Sequence, residues 1–335
     1  MENKQNMPLV SIITAGWNGK NFVFKLFDSI IEQTYENIEY IYVDDGSTDG
    51  TDKIVLSYKE RFKKRGIDFK YVRKENGGVS SALNCGLKYV NGKYLCWAEY
   101  DDIYEKESIE KRVEFLENHP EYVCVTNDAL VCSGEDNNKV LGKLSEGVTD
   151  NENENQFELL LRESSITVAI CHMVRAKEFF QIYKNREIYD SRLGPNFQML
   201  LPLYYQYKRA FLEETLCRYI VREGSVSHQK GKYNDELEKV KEVRKIKESV
   251  LKIIDMPEED YEKYLQFIED IYNQSCLKVA SRFFEKKDTK RYYRIIREKG
   301  NNSWNLKLLY LRGNYRIFFL LYEKVIKKLK KIRYA

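Results

Sequence analysis

Three carboxylates crowd one short stretch, Glu99-Tyr100-Asp101-Asp102, directly after the strand-like run 94–97. Acids placed so close together repel one another unless a cation or ligand sits among them. Hard oxygen donors of this kind suit Mg²⁺ or Mn²⁺ shared with substrate phosphates. A second acidic pair, Asp44-Asp45, ends another apolar run and leads into Gly46-Ser47-Thr48-Asp49. Carboxylates there can accept hydrogen bonds from a base or a ribose; the same residues also suit a tight turn capped by Ser47, Thr48 or Asp49. Trp17, in Thr14-Ala15-Gly16-Trp17-Asn18-Gly19, either offers a ring for stacking or packs into a core. Asn76-Gly77-Gly78 precedes a helical pattern, where glycines let an anion approach backbone N–H groups.

These four clusters share one kind of position. Apolar runs at 9–14, 38–43, 69–72, 94–97 and 122–126 alternate with helical periodicities at 20–33, 49–65, 79–90 and 105–118. Strands alternating with helices of this length predict parallel crossovers and an α/β sheet covered on both faces. Ligands in such sheets bind beyond the carboxyl ends of the strands, where the clusters lie. A polar stretch over 133–155 reads as a surface connection, 156–228 returns to mixed apolar segments, and helical patterns dominate from 233 onward.

Composition narrows the classes. The 335 residues carry 56 basic and 52 acidic side chains, and a net charge of +4 is too small for a dedicated nucleic-acid binder. Seven cysteines without CxxC spacing predict reduced, mostly buried thiols, and three histidines exclude a histidine-rich metal cage. No uninterrupted apolar run is long enough to span a membrane. Residues 1–6 lead straight into a strand without a signal-like apolar core, which predicts a cytoplasmic chain.

Taken in order, Pro8 to Asn18, Gln33-Thr34-Tyr35 with 38–51, 76–87 and 99–104 resemble the family 2 glycosyltransferases of the GT-A fold, over roughly residues 8–228. The resemblance implies a GT-A-like nucleotide-binding sheet with helices on both faces over 1–230, its nucleotide-sugar half about 1–130 and its acceptor half about 131–230. A helical C-terminal region would follow over 231–335. It implies binding of a nucleotide-diphosphate sugar, a UDP-sugar first among pyrimidine donors, and a divalent cation, Mn²⁺ or Mg²⁺, on the diphosphate. Thr14, Trp17 and Asn18 match the loop that meets the nucleoside. Asp45 matches the acid that reads the pyrimidine, with Asp44 beside it. Asn76 and Asn84 match positions flanking the pocket, and Asp101 matches the direct metal ligand of the DxD triplet. Arg222 and His228 lie in a segment resembling the one that closes over the diphosphate, with His228 as a third metal ligand after Glu99 and Asp101.

Two residues depart from the family pattern. Glu99 stands where an aspartate is usual. Asn196 stands where the family has its general base, and an amide cannot act as one. Asp190 and Asp128 are the substitutes the sequence offers. His119 reads as a helix end and His172 as core. Residues 317, 318, 321, 325, 329 and 332 form an apolar stripe among lysines, so the C-terminal helix either lies on the inner face of an anionic membrane or packs on its own domain with a solvated lysine face. The reading is an inverting, metal-dependent transferase acting on a glycan or lipid-linked acceptor in surface glycan synthesis. The alternative is a catalytically weak nucleotide-sugar-binding partner subunit. A dehydrogenase is disfavoured because no GxGxxG follows the first strand.

Overall fold

The computed structural model describes residues 6–148, 150–222 and 231–316. They form two compact units: residues 6–222 together with Ser249–Asp255, and residues 231–248 with 256–316. Arg222 therefore belongs to the first unit, whereas His228 and the tail stripe at 317–332 lie outside the described residues.

The first unit is built on β1 (Val10–Gly16), buried along its whole length between β2 (Ile38–Asp44) and β4 (Tyr94–Trp97) and parallel to both. β3 (Asp68–Arg73) extends the parallel set beyond β2. Strands buried on both faces read as near-continuous apolar runs, which is why their positions were visible locally. Between them run α1 (Val23–Ile31), α2 (Thr51–Ser57), α3 (Lys59–Arg65) and α4 (Val79–Leu87). α1 buries Val23, Leu26, Phe27 and Ile30, one face of a 3.6-residue period. Phe27 meets Tyr40 and Tyr42 of β2 edge-on at 5.6 and 5.4 Å, and Phe62 of α3 at 5.5 Å. The expected single helix over 49–65 is divided at Tyr58, whose hydroxyl donates to Asp28 at 3.1 Å while its ring carries Arg61.

Beyond β4 the all-parallel expectation gives way to a mixed sheet. The strand order is β3-β2-β1-β4, then β8 (His172–Arg175), β6 (Tyr122–Ser133), β9 (Lys208–Val221) and β5 (Ile103–Tyr104), with β7 (Val140–Lys143) on β6. β8 is antiparallel to β4 and β6, β5 to β9 and β7 to β6, whereas β6 and β9 are parallel. The stretch 133–155 is thus not wholly irregular: β7 and the end of β6 occupy its start. α5 (Ser108–Asn118), α6 (Phe157–Leu161), α7 (Ala176–Ile182) and α8 (Pro195–Gln206) complete this part of the unit.

The second unit comprises most of α9 (Tyr233–Leu251), α10 (Glu258–Arg282), α11 (Lys286–Glu298) and α12 (Trp304–Asn314), around Cys276, Leu277, Tyr292, Ile296 and Leu306.

One buried carboxylate locks the strand starts opposite the ligand end. Glu39 accepts from the Ser11 hydroxyl, from Asn91 N at 2.6 Å and Nδ2 at 3.0 Å, and from Gly92 N at 3.2 Å. Glu39→Ala takes the acceptor from the buried Ser11 hydroxyl and from Asn91 N, while Gly92 N keeps Ser11 Oγ at 2.8 Å and Asn91 Nδ2 keeps Tyr89 O at 2.9 Å. The substitution is expected to cost about 2–4 kcal/mol, at one to three for each buried group left unpaired. Urea unfolding measures this, and a loss below about 1 kcal/mol would contradict the network's role.

Candidate active site

Asp45, only 3% exposed, ties the first three loops together. Its backbone N–H donates to Gly16 O at 2.9 Å, joining the ends of β1 and β2. Its carboxylate accepts from Lys74 Nζ at 2.9 Å, Gly77 N at 3.0 Å and Gly78 N at 2.7 Å, and its carbonyl takes Asn76 Nδ2 at 3.0 Å. Both turns need glycine. Gly46 has φ +75° and a Cβ there would stand 2.9 Å from Asn76 N; Gly78 has φ +95° with Arg192 Cγ at 2.8 Å. Asp44 is spent locally, accepting from Ser47 N and the Tyr71 hydroxyl, each at 2.8 Å. Asn18 clamps the first loop to the second: its N–H donates to Ser47 Oγ at 3.0 Å and its Oδ1 accepts Thr48 N at 2.9 Å. Thr14 is fully buried beside the Tyr40 hydroxyl, so its side chain supports the loop from beneath. Trp17 projects from this braced loop, 52% exposed.

The acidic cluster resolves into three environments. Asp102 turns inward, accepts Ile220 N at 3.0 Å and, among the described residues, leaves Oδ2 buried without a partner; burial, and then the charge of Asp101, raise its carboxyl well above the usual range. Asp101 is ion-paired with Arg222, which also donates to the Tyr100 hydroxyl at 2.7 Å and lies over the rings of Phe22 and Tyr100. Among the described residues Glu99 has no ion pair of its own. Burial, and next the charge of Asp101, push its carboxyl up to about 7, against the opposing pull of Asn196 and Arg222.

Asn196 opens α8 and reaches back to this cluster. Its Oδ1 accepts Trp97 Nε1 at 2.9 Å, and its Nδ2 points at Glu99 Oε1 at 3.5 Å. An indole N–H can only donate, which orients the amide with its NH₂ toward the carboxylate. The two departures from the family pattern are therefore neighbours. An aspartate at 196 would set a second negative charge against Glu99.

The remaining candidates lie elsewhere or are already committed. Asn84 gives both amide atoms to the backbone of Ile188, at 3.0 and 2.8 Å, and so pins the segment after α7 instead of opening onto a pocket. Asp128 is buried, holding Ser145 N at 3.1 Å and Oγ at 2.7 Å, which removes it as a base. Asp190 is exposed on the segment before α8. His172 is core: fully buried, stacked on Trp97 and bonded to Thr126 Oγ1, with burial pushing its imidazole down to about 3. Among the described residues no three acids, histidines or cysteines are grouped to hold a metal ion. Sequence reasoning passed over Lys74, Tyr100 and the polar edge of Trp97; the buried indole N–H, which requires an acceptor, was the available signal.

The sequence family described as Glycosyl transferase family 2 matches residues 11–180, just over half of the chain and all four loops. The chain belongs to this family. An uncharacterized glycosyltransferase of Rickettsia prowazekii is 47% identical over 115 residues, 34% of this chain and 34% of that protein. A Bacillus subtilis glycosyltransferase named for teichuronic acid biosynthesis, TuaG, is 37% identical over 109 residues, 32% of this chain and 42% of that protein. The matched segment thus spans less than half of either relative. The fold is that of S. aureus TarS 1–349, solved with UDP-GlcNAc (TM-score 0.54, 16% identity, 83% of each chain). It is likewise that of the mannosyltransferase PcManGT from Pyrobaculum calidifontis, solved with GDP-Man and Mn²⁺ (TM-score 0.56, 15% identity, 96% of this chain and 84% of that one). The GT-A-like sheet and helical C-terminal region of this family 2 chain agree with the expectation from sequence.

Ionising Glu99 in this family 2 site opposes folding, because its folded carboxyl holds the proton more tightly than the ordinary value of 4.5. The stability it contributes is complete below that value and is lost as pH rises toward 7. Glu99→Gln does not titrate, so its stability relative to wild type is expected to climb by about 1–3 kcal/mol between pH 4 and pH 8. Parallel stability–pH curves for the two proteins would refute the assigned environment.

Proposed function

We propose that this chain transfers a sugar from a uridine-diphosphate donor to an acceptor hydroxyl, inverting the anomeric centre. The observation that carries the reading is the joining of three strand-end loops through Asp45, with Trp17 exposed on one of them and Glu99, Asp101 and Arg222 gathered at the end of β4. Trp17 offers its face to the base. Three donors already occupy the Asp45 carboxylate, and one of its roughly four lone-pair positions is left for a pyrimidine N–H. The complex of TarS with UDP-GlcNAc supports a nucleotide-sugar ligand for this fold.

Asp101, a hard oxygen donor at the end of β4, suits a divalent cation shared with a diphosphate, whose oxygens would supply the further ligands that no group of three acids, histidines or cysteines provides among the described residues. Asp101 would hold such an ion, which supplies positive charge to the leaving diphosphate. Arg222 meets the same phosphates once released from Asp101. Glu99 takes the place of the missing base. Its carboxyl, near neutrality and aimed by Asn196, accepts the acceptor proton as the hydroxyl oxygen bonds to the anomeric carbon. The bond from that carbon to the diphosphate breaks on the opposite face, through a transition state of oxocarbenium character. The acceptor is a surface glycan or its lipid-linked precursor, supported by the relative named for teichuronic acid biosynthesis. A lipid-linked acceptor also suits a basic amphipathic tail on the inner face of a membrane.

The second reading, a nucleotide-sugar-binding subunit without efficient catalysis, is favoured by Asn196 alone. Transfer assays separate the two. Glu99→Gln is expected to keep UDP binding and lose transfer by about 10²–10⁴-fold, the range for a general base. Adding Asn196→Asp to Glu99→Gln should restore part of the rate, because it returns a carboxylate to the same place. Wild-type protein that binds donor and transfers nothing to any glycan acceptor would favour the subunit reading.

Calorimetry tests the donor site itself. Trp17→Ala is expected to weaken UDP binding by about 1–3 kcal/mol, the range for losing an aromatic–base stack. Mn²⁺ should tighten binding in wild type but not in Asp101→Asn. Equal affinities in wild type, both variants and excess chelator would place the donor elsewhere.

A further inference from the structure

The second unit carries an exposed apolar surface outside the candidate site. α12 has two apolar faces. Leu306 and Leu309 join the unit's core, and Tyr310 packs on Tyr293 at 4.3 Å. Trp304, Leu308, Leu311 and Tyr315, spaced four, three and four residues apart, share a different face. Trp304 is 68% exposed, Leu311 39% and Tyr315 55%. Leu308 helps line an open groove of about 560 Å³ between α10 and α12, together with Lys278, Val279, Arg282 and Arg312. A contiguous apolar stripe left in water marks an interaction surface.

Charge identifies the partner. Residues 278–316 hold 12 basic against 3 acidic side chains, whereas residues 1–228 hold 29 against 36. Lys278, Lys307 and Arg316 are exposed around the stripe. The same face of a second copy would bring like charge against like. A nucleic acid would satisfy the lysines and leave Trp304 and Leu311 in water. An anionic lipid surface satisfies both, since its phosphates meet the basic heads while the apolar face sinks to the boundary between headgroups and acyl chains. Among the described residues no helix is long and apolar enough to cross a membrane, so this contact lies on the surface of the bilayer.

We propose that the α10–α12 face docks on an anionic phospholipid surface, its apolar stripe in the headgroup layer and Lys278, Lys307 and Arg316 on the phosphates. This extends the membrane contact suggested for the tail to a folded part of the chain, and it holds or fails separately from that suggestion.

Cosedimentation of the full chain with phosphatidylcholine vesicles, with and without phosphatidylglycerol, tests it. Three variants are compared with wild type: Trp304→Ala with Leu311→Ser, Lys278→Glu with Lys307→Glu, and a tail variant carrying Lys327→Glu, Lys328→Glu, Lys330→Glu and Lys331→Glu. The altered side chains of the first two are exposed, and an unchanged melting temperature and UDP affinity certify the fold. Wild type should bind the anionic vesicles only. The Lys278/Lys307 variant should bind about tenfold more weakly or worse. The Trp304/Leu311 variant should lose the part of binding that survives high salt. Wild-type binding by both face variants, with loss only in the tail variant, would overturn the proposal and leave the tail reading standing. Absence of wild-type binding to either vesicle would overturn both. Binding to single-stranded RNA but not to vesicles, sensitive to the lysines and indifferent to Trp304, would replace the lipid with a polyanion.

Discussion

A carboxylate removed from water must be met by donors, and Asp45 meets this demand with Lys74 and the N–H groups of Gly77 and Gly78, contributed by the loop that follows β3. Its own N–H is held by the end of β1. One buried charge therefore sets the relative positions of the loops that leave β1, β2 and β3, beyond the last paired residues Gly16, Asp44 and Arg73. The glycines at 46 and 78 are there because the chain must approach this residue closely. Trp17 is aimed by the same system, since Asn18 fastens its loop to Ser47 and Thr48.

On the other side of the site the governing term is repulsion. Glu99 and Asp101 share a poorly solvated corner, and Arg222 neutralises only the second. What remains is a carboxyl that titrates near neutrality beside an amide that can donate to it but not compete for a proton. The added methylene of Glu99 and the lost charge at Asn196 make physical sense as a pair.

β1, β2 and β4 were legible because strands buried on both faces, like helices with one apolar face, leave local patterns, and the half-exposed edge strand β3 still shows the short run 69–72. β7 and the long pairing of β6 with β9 were not, because polar residues interrupt the apolar pattern and the register jumps from Asn127–Leu212 to Asp128–Thr215, leaving Glu213 and Glu214 in a bulge. Residue type pointed to Asp45, Trp17, Glu99 and Asp101 before any coordinates. It could not say that Asn84 would spend both amide atoms on Ile188, or that Asn196 would touch Glu99, because those contacts join positions about a hundred residues apart. Buried polar groups are assigned by where the chain returns, and local sequence does not carry that information.

Amide hydrogen exchange of the nucleotide-free protein, resolved at Gly77 and Gly78, tests most directly whether Asp45 builds the donor site in advance. The account expects both amides, although they lie in a loop, to exchange far more slowly than unstructured ones, and to become fast in Asp45→Ala while the amides of β1 and β2 stay protected. Fast exchange at Gly77 and Gly78 in the wild-type protein, with protection arising only when UDP is added, would mean that the ligand assembles these loops and would contradict the account.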